Sequence, residues 1–196
     1  MTVAPGAVFL DRDGVLIRDV HHLCRGEQIE LLSGVAEALR ILRSEGFKLV
    51  VVTNQSVVAR GKVTEAGLRE IHPVLRERLG DEGAELDAIY YCPHHPTDGI
   101  GVYKIACACR KPNAAMIERA ARELRLDPKN SYLVGDQAGD MELAARVGAQ
   151  GVLISQTTTV GSADIAGAEP TLDNLLQAVP MDRQPNWAGR LEARES

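Results

Sequence analysis

The sequence predicts an α/β fold, a doubly wound parallel sheet wrapped by helices on both faces. Two observations predict it. Short apolar runs rich in Val and Leu alternate with longer helical segments, the pattern that gives parallel sheets with crossover helices. Three of these runs also lead into the polar residues Asp11, Thr53 and Asp136, and open α/β sheets bind ligands beyond the carboxyl ends of their strands.

Taken in order, Ala7 to Leu10 is a buried strand that ends at Asp11. Gly34 to Glu45 places Val35, Ala38, Leu39 and Leu42 on one helical face. Phe47 to Val52 is a second strand, leading into a polar turn from Thr53. Thr64 is the expected N-cap of a helix running toward Leu79, which Pro73 is expected to kink or split. Ile89 to Tyr91 closes a third strand. Residues 92 to 112 read as loop and carry three of the four cysteines. Asn113 is the expected cap of a helix over Ala114 to Leu124. Tyr132 to Gly135 is a fourth strand ending at Asp136, followed by a short helix near Met141 to Val147 and a fifth strand over Gly151 to Ile154. A last helix is expected over Leu172 to Val179. Residues 1–180 are expected to form a single domain, with 181–196 a loose tail.

The 196 residues suit one compact domain, and 45% apolar residues mark a globular chain. The net charge of −5, without any Lys/Arg block, argues against a nucleic-acid partner. No apolar run approaches the ~18 residues of a membrane span. Met1 to Val8 lacks the basic and apolar regions of a signal peptide, so a cytoplasmic location is expected; the expected oligomeric state is a monomer. In a reducing compartment the cysteines need a purpose other than disulfides.

Asp11 and Asp13 leave the first strand two residues apart and can face one site. A turn with two solvated acids is the plain alternative. A calcium loop is excluded: it needs oxygen ligands at its first, third and fifth positions, glycine sixth and glutamate twelfth, and neither possible register supplies them. A carboxylate can attack phosphorus and form an aspartyl-phosphate, while a second carboxyl protonates the leaving oxygen and then deprotonates water. The repulsion between two anions calls for a cation, and Mg2+ suits carboxylates and phosphate oxygens. Thr53, Asn54, Gln55 and Ser56 follow the second strand, where a hydroxyl and backbone N–H groups can hold phosphoryl oxygens, although a simple Thr/Asn turn reads the same way. Arg110 and Lys111 offer two cations before a helix. Asp136 and Asp140 are four apart, either as magnesium ligands or as acids that complement a helix dipole.

Cys92, His94, Cys107 and Cys109 make a second constellation. Three thiols and an imidazole can hold Zn2+ tetrahedrally, and four protein ligands leave no open position, so the site is expected to be structural; buried thiols without metal are the alternative. Cys24 stands apart.

In the order DRDGV, TNQS, RKP and GDxxxD the chain resembles the haloacid dehalogenase superfamily of phosphatases, from Phe9 to about Ile154. The resemblance implies a nucleophile at Asp11, a general acid/base at Asp13 and phosphoryl-steadying roles for Thr53 and Lys111. It also implies magnesium held by Asp11, Asp136 and the carbonyl of Asp13, with Asp140 in support. The stretches TNQSxxARGxxTE, YYCPHHP and CxCRKP are similar to the heptose-bisphosphate phosphatase branch and its histidinol-phosphatase relatives. This implies a minimal cap, a zinc loop at about 92–109 and a small sugar phosphate as substrate. Asp19, His22 and Arg110 are the implied substrate contacts, with Asn54, Gln55 and Ser56 beside them. A histidinol-phosphate phosphatase, a DNA 3′-phosphatase and a zinc-stabilised non-catalytic binding module are the competing readings. The chain departs from the branch at Val57, at Gln137 and over His21 to Cys24.

Overall fold

A computed structural model describes residues 4–154, 169–172 and Leu175. The strands are β1 (Ala7–Leu10), β2 (Lys48–Asn54), β3 (Ala88–Cys92), β4 (Tyr132–Gly135), β5 (Gln150–Ile154) and β6 (Glu169–Leu172). They form one sheet in the order β3-β2-β1-β4-β5-β6, and every pairing is parallel. The helices are α1 (Val35–Ser44), α2 (Ser56–Ala59), α3 (Glu65–Asp81), α4 (Ala115–Leu124) and α5 (Ala138–Val147). Among the described residues no helix is long and apolar enough to cross a membrane.

The period-two alternation of the strands divides the core. Val8, Leu10, Leu49, Val51, Tyr132 and Val134 face one side, where they pack with Leu39 and Leu42 of α1 and Leu68, Leu75 and Leu79 of α3. Ala7, Phe9, Val50, Val52 and Leu133 face the other, against Met116, Ile117 and Ala120 of α4 and Leu143 and Ala144 of α5. The sheet is therefore wound on both faces. From β1 the chain winds outward to β2 and β3, then returns to β4 and winds the opposite way. The order reverses between β1 and β4, so a crevice opens at their carboxyl ends.

Several boundaries differ from expectation. β2 runs on through Thr53 and Asn54, which pair with Tyr91 and Cys92 of β3, and a short helix follows where a turn was expected. α3 is one continuous helix with Pro73 inside it. Its apolar stripe of Leu68, Ile71, Leu75 and Leu79 is buried on both sides of the proline, and burial of ~1.5–3 kcal/mol per large apolar side chain outweighs the ~3 kcal/mol of an internal proline. Thr64 does cap this helix, accepting from the Gly67 N–H at 3.0 Å. Asn113 does not cap α4: the cap position is Ala114, and the Asn113 amide donates to the Cys107 carbonyl instead. α5 begins at Ala138, earlier than expected, because Gln137 and Asp140 form a reciprocal capping box. At the end of the chain Leu172 closes the unexpected β6 and Leu175 lies in a turn; the remainder of the expected final helix and the tail fall outside the described residues.

Candidate active site

Asp11 is the first residue beyond β1 and Asp136 the first beyond β4, and the two strands are neighbours. The Asp11 N–H donates to the Val134 carbonyl at 2.9 Å, which ties the end of β1 to β4. Ligand oxygens of Asp11, Asp136 and Asp140 all lie within 4.8 Å of one another. Glycines allow this approach. Gly14 has φ +81°, and a Cβ there would stand 2.3 Å from Asp136 Oδ2; a Cβ on Gly135 would meet the Asp140 side chain at the same distance.

Lys111 enters this acidic group from the loop before α4. Its Nζ lies 2.8 Å from Asp11 Oδ2 and 2.7 Å from Asp140 Oδ1, and its side chain is only 4% exposed. Burial works to discharge the ammonium, but Asp11 and Asp140 outweigh it and hold the Lys111 pKa above its usual value. Asp136 is raised to about 6, first by burial and then by the charges of Asp11 and Asp140, against a hydrogen bond from Gln137 that opposes the rise. Asp140 is also raised, by burial ahead of the opposing Lys111 charge. A lone ammonium thus leaves negative charge uncompensated, and this oxygen-donor set fits a hard divalent cation.

Asp13, two residues on, does not join that carboxylate group. Its side chain turns to Arg12, which is itself 1% exposed, with Nη2–Oδ2 at 2.9 Å. Thr53 is buried at the end of β2 and its Oγ1 accepts from Gln55 Nε2 at 2.9 Å. Asn54 and Gln55, expected to contact substrate, spend their amides on the protein. Asn54 clamps Lys111 by accepting from its N–H at 3.0 Å and donating to its carbonyl at 3.2 Å. Gln55 bonds Arg12, Asp13 and Thr53. These residues line a cleft of ≈ 260 Å3 together with Ser56, Asp19 and Arg110. His22 does not line it; the neighbouring His21 does, in left-handed backbone at φ 61° with its N–H on Asp19 Oδ1. Gln137 fills its place at the rim and donates to Asp136 Oδ2 at 3.2 Å.

The second constellation is also assembled. The Sγ atoms of Cys92, Cys107 and Cys109 are separated by 3.4, 3.2 and 3.2 Å, and His94 Nδ1 lies 3.7 Å from Cys92 Sγ and 3.4 Å from Cys109 Sγ. No disulfide joins them. Four soft donors at near-equal separations fit a tetrahedral metal site such as that of zinc. Arg110 Nη1 donates to the His94 carbonyl at 3.1 Å, so this loop holds the arginine at the cleft.

Sequence reasoning missed Arg12. The signal was present: period-two alternation sends a residue between two site-facing acids into the interior, where a guanidinium must find acceptors.

An acidic pocket with its own ammonium, set at the switch point of a parallel sheet, puts the chain among the hydrolases that carry an aspartate beyond the first strand. Comparison with known proteins agrees. Residues 8–71 match the family described as Haloacid dehalogenase-like hydrolase, and residues 108–178 the one described as HAD-hyrolase-like. The D-glycero-beta-D-manno-heptose-1,7-bisphosphate 7-phosphatase of Yersinia pestis is 39% identical over 177 residues, covering 89% of this chain and 94% of that protein. Its counterpart from Escherichia coli K12 is 38% identical over 183 residues, covering 91% and 96%. Among solved structures, the D,D-heptose 1,7-bisphosphate phosphatase of B. bronchiseptica, complexed with magnesium and phosphate, superimposes with a TM-score of 0.74 at 29% identity, covering 97% of this chain and 99% of that one. The chain belongs to the haloacid dehalogenase-like hydrolases, in the family of these heptose-bisphosphate phosphatases.

Proposed function

We propose that this enzyme removes the C7 phosphate of D-glycero-D-manno-heptose 1,7-bisphosphate through an aspartyl-phosphate. The observation that carries the chemistry is the placement of Asp11, buried at the switch point with Lys111 Nζ at 2.8 Å and the Asp136–Asp140 pair beside it. The substrate rests on the relatives at 38–39% identity, which cover nearly the whole chain.

Asp11, Asp136 and the carbonyl of Asp13 would hold Mg2+, with Asp140 in support, and the ion would neutralise the charge that otherwise keeps an anionic nucleophile from a phosphate. Asp11 attacks phosphorus; the bond from phosphorus to the C7 oxygen breaks, and Asp13 gives that oxygen its proton. Asp13 then takes a proton from water as the water oxygen attacks phosphorus, the bond to Asp11 breaks, and inorganic phosphate leaves. Lys111 and the Thr53 hydroxyl steady the phosphoryl oxygens, and Asn54 keeps Lys111 in place. Asp19, His21, Ser56 and Arg110 line the sugar side of the cleft. Cys92, His94, Cys107 and Cys109 would hold Zn2+, which would pin the loop that carries Arg110. The enzyme acts on a small molecule in the cytoplasm.

Steady-state kinetics test the substrate. The kcat/KM for the heptose bisphosphate is expected to exceed that for histidinol phosphate by at least about a hundredfold; the reverse ratio overturns the assignment in favour of a histidinol-phosphatase.

A further inference from the structure

Arg12 is the bulkiest wholly buried side chain among the described residues, and the chemistry above gives it no task. Its Nε donates to Asp13 Oδ1 at 3.2 Å, and its Nη2 to Asp13 Oδ1 at 3.0 Å and Oδ2 at 2.9 Å. The same Nη2 reaches Gln55 Oε1 at 2.7 Å. Gln55 closes the ring, its Nε2 donating to Asp13 Oδ2 at 2.7 Å and to Thr53 Oγ1 at 2.9 Å. Both oxygens of Asp13 are thus held, on a side chain still 24% exposed toward the cleft. As a structural device the arrangement is poor. A buried guanidinium costs more in lost hydration than an ordinary pair returns, and Arg12 Nη1 has no hydrogen-bond partner among the described residues. Well-packed apolar side chains would stabilise the same space better. Such an arrangement does fix a direction, because a two-pronged guanidinium–carboxylate contact allows little rotation.

We propose that Arg12 and Gln55 are positioning residues that aim the Asp13 carboxyl group at the reacting oxygen and lock its place to that of Thr53. This deepens the aspartyl-phosphate reading and rests on it. Thr53 touches the phosphoryl group and Asp13 the oxygens that leave and enter, so the Gln55 amide ties the acid/base to the phosphoryl cradle. A misplacement of about 1 Å at such a centre can cost about a hundredfold in rate.

The test uses the whole enzyme with magnesium and compares two leaving groups. Arg12→Ala leaves a void and strips Asp13 of its cation, so it can fail to fold; Gln55→Ala is the main variant and Arg12→Lys the second. On the sugar bisphosphate, kcat is expected to fall about 10–100-fold with KM within about threefold. On p-nitrophenyl phosphate, whose leaving group needs no proton, only the second step is slowed. One equivalent of p-nitrophenolate is then released per site in a burst, and acid quenching traps phosphorylated Asp11. Gln55→Glu, which keeps the length and one acceptor but loses the donor to Asp13, is expected to stay slow. Overturning results are an unchanged kcat in Gln55→Ala, or equal losses on both substrates without trapped phosphoenzyme. Asp11→Asn separates the two levels. If it stays active, the covalent reading falls and this inference with it; if it is dead while Gln55→Ala behaves as wild type, the inference alone falls.

Discussion

The carboxylate site and the thiol site differ in where their donors come from. Asp11, Thr53, Lys111 and Asp136 are drawn from the ends of three strands and from the loop before α4, so the sheet itself sets their separations. All four donors of the thiol site come from one stretch between the end of β3 and α4. The first site opens on a cleft and gathers three carboxylates around one ammonium, and burial first, then the charges of Asp11 and Asp140, raise the pKa of Asp136. In the second each donor lies against others of the set, and a metal held by all four would have no open position. Groups held by a rigid sheet around uncompensated charge are fit for chemistry. A closed cluster within a loop is fit for fixing that loop. The Arg110 contact to the His94 carbonyl is where the second serves the first.

The comparison breaks most visibly at Asp11. Asp11→Asn is expected to lower kcat at least about a thousandfold while the melting temperature stays within a few degrees; stopped-flow kinetics beside a thermal melt read both. A variant that keeps most of its rate would show that the buried acid is not the nucleophile.

The opposite pattern is expected at the thiol site. Cys107→Ser, or zinc chelation, is expected to lower the melting temperature by roughly 10 °C, because metal binding free energy is folding free energy and each kcal/mol moves a chain of this size by about 2–4 °C. Well below the new midpoint, kcat is expected to remain within about tenfold of wild type. Metal analysis of the purified protein gives a direct check, with one zinc per chain expected.

A smaller effect sharpens the picture of the layer beneath the carboxylate site. His72 of α3 is buried, tilts against Tyr91 at 5.2 Å between ring centroids, and its Nε2 has no hydrogen-bond partner among the described residues. Burial first, then the charges of Arg12 and Arg76, lowers its pKa to about 4 from 6.5. The unfolded chain therefore takes up a proton below pH 6.5 that the fold refuses until about pH 4, and stability is lost as pH falls through that window. The loss is about 2 kcal/mol at pH 5. In His72→Phe the difference in unfolding free energy between pH 7 and pH 5, measured by urea titration, is expected to shrink by that amount.

Much of this was legible in the chain. The strands at Ala7, Tyr132 and Gly151 are short apolar runs with plain polar ends, and the helix over Val35–Ser44 has a clear stripe, so local pattern was enough. Asp11, Asp13, Thr53, Lys111 and Asp136 lie in motifs at strand ends or helix starts, where topology converts position in sequence into position in space. The cluster of Cys92, His94, Cys107 and Cys109 was legible because soft side chains in one loop are chemically distinctive. Other features were not readable, each for its own reason. Pro73 sits inside an unbroken helix because the buried stripe on either side outweighs a local preference. Asn113 spends its amide on Cys107, a partner that only the folded loop supplies. Asn54 and Gln55 line the cleft as expected, but a polar turn beside a phosphate site does not reveal that their side-chain amides are already taken by Lys111, Asp13 and Thr53. His21, not His22, lines the cleft because the loop turns through a left-handed residue.

The sequence by itself determined most of the element types, the parallel sheet and which polar residues stand at the strand ends, since these follow from periodicity and from residue chemistry. Only the tertiary structure decided which charges neutralise one another: Lys111 between Asp11 and Asp140, and Arg12 on Asp13. The reason is physical. For Lys111 the pairing is set by distances of about 3 Å between segments far apart in the chain, which exist only once the sheet has brought its strand ends together; Arg12 and Asp13 are neighbours in sequence, and there the fold decides by burying the guanidinium against the adjacent carboxylate.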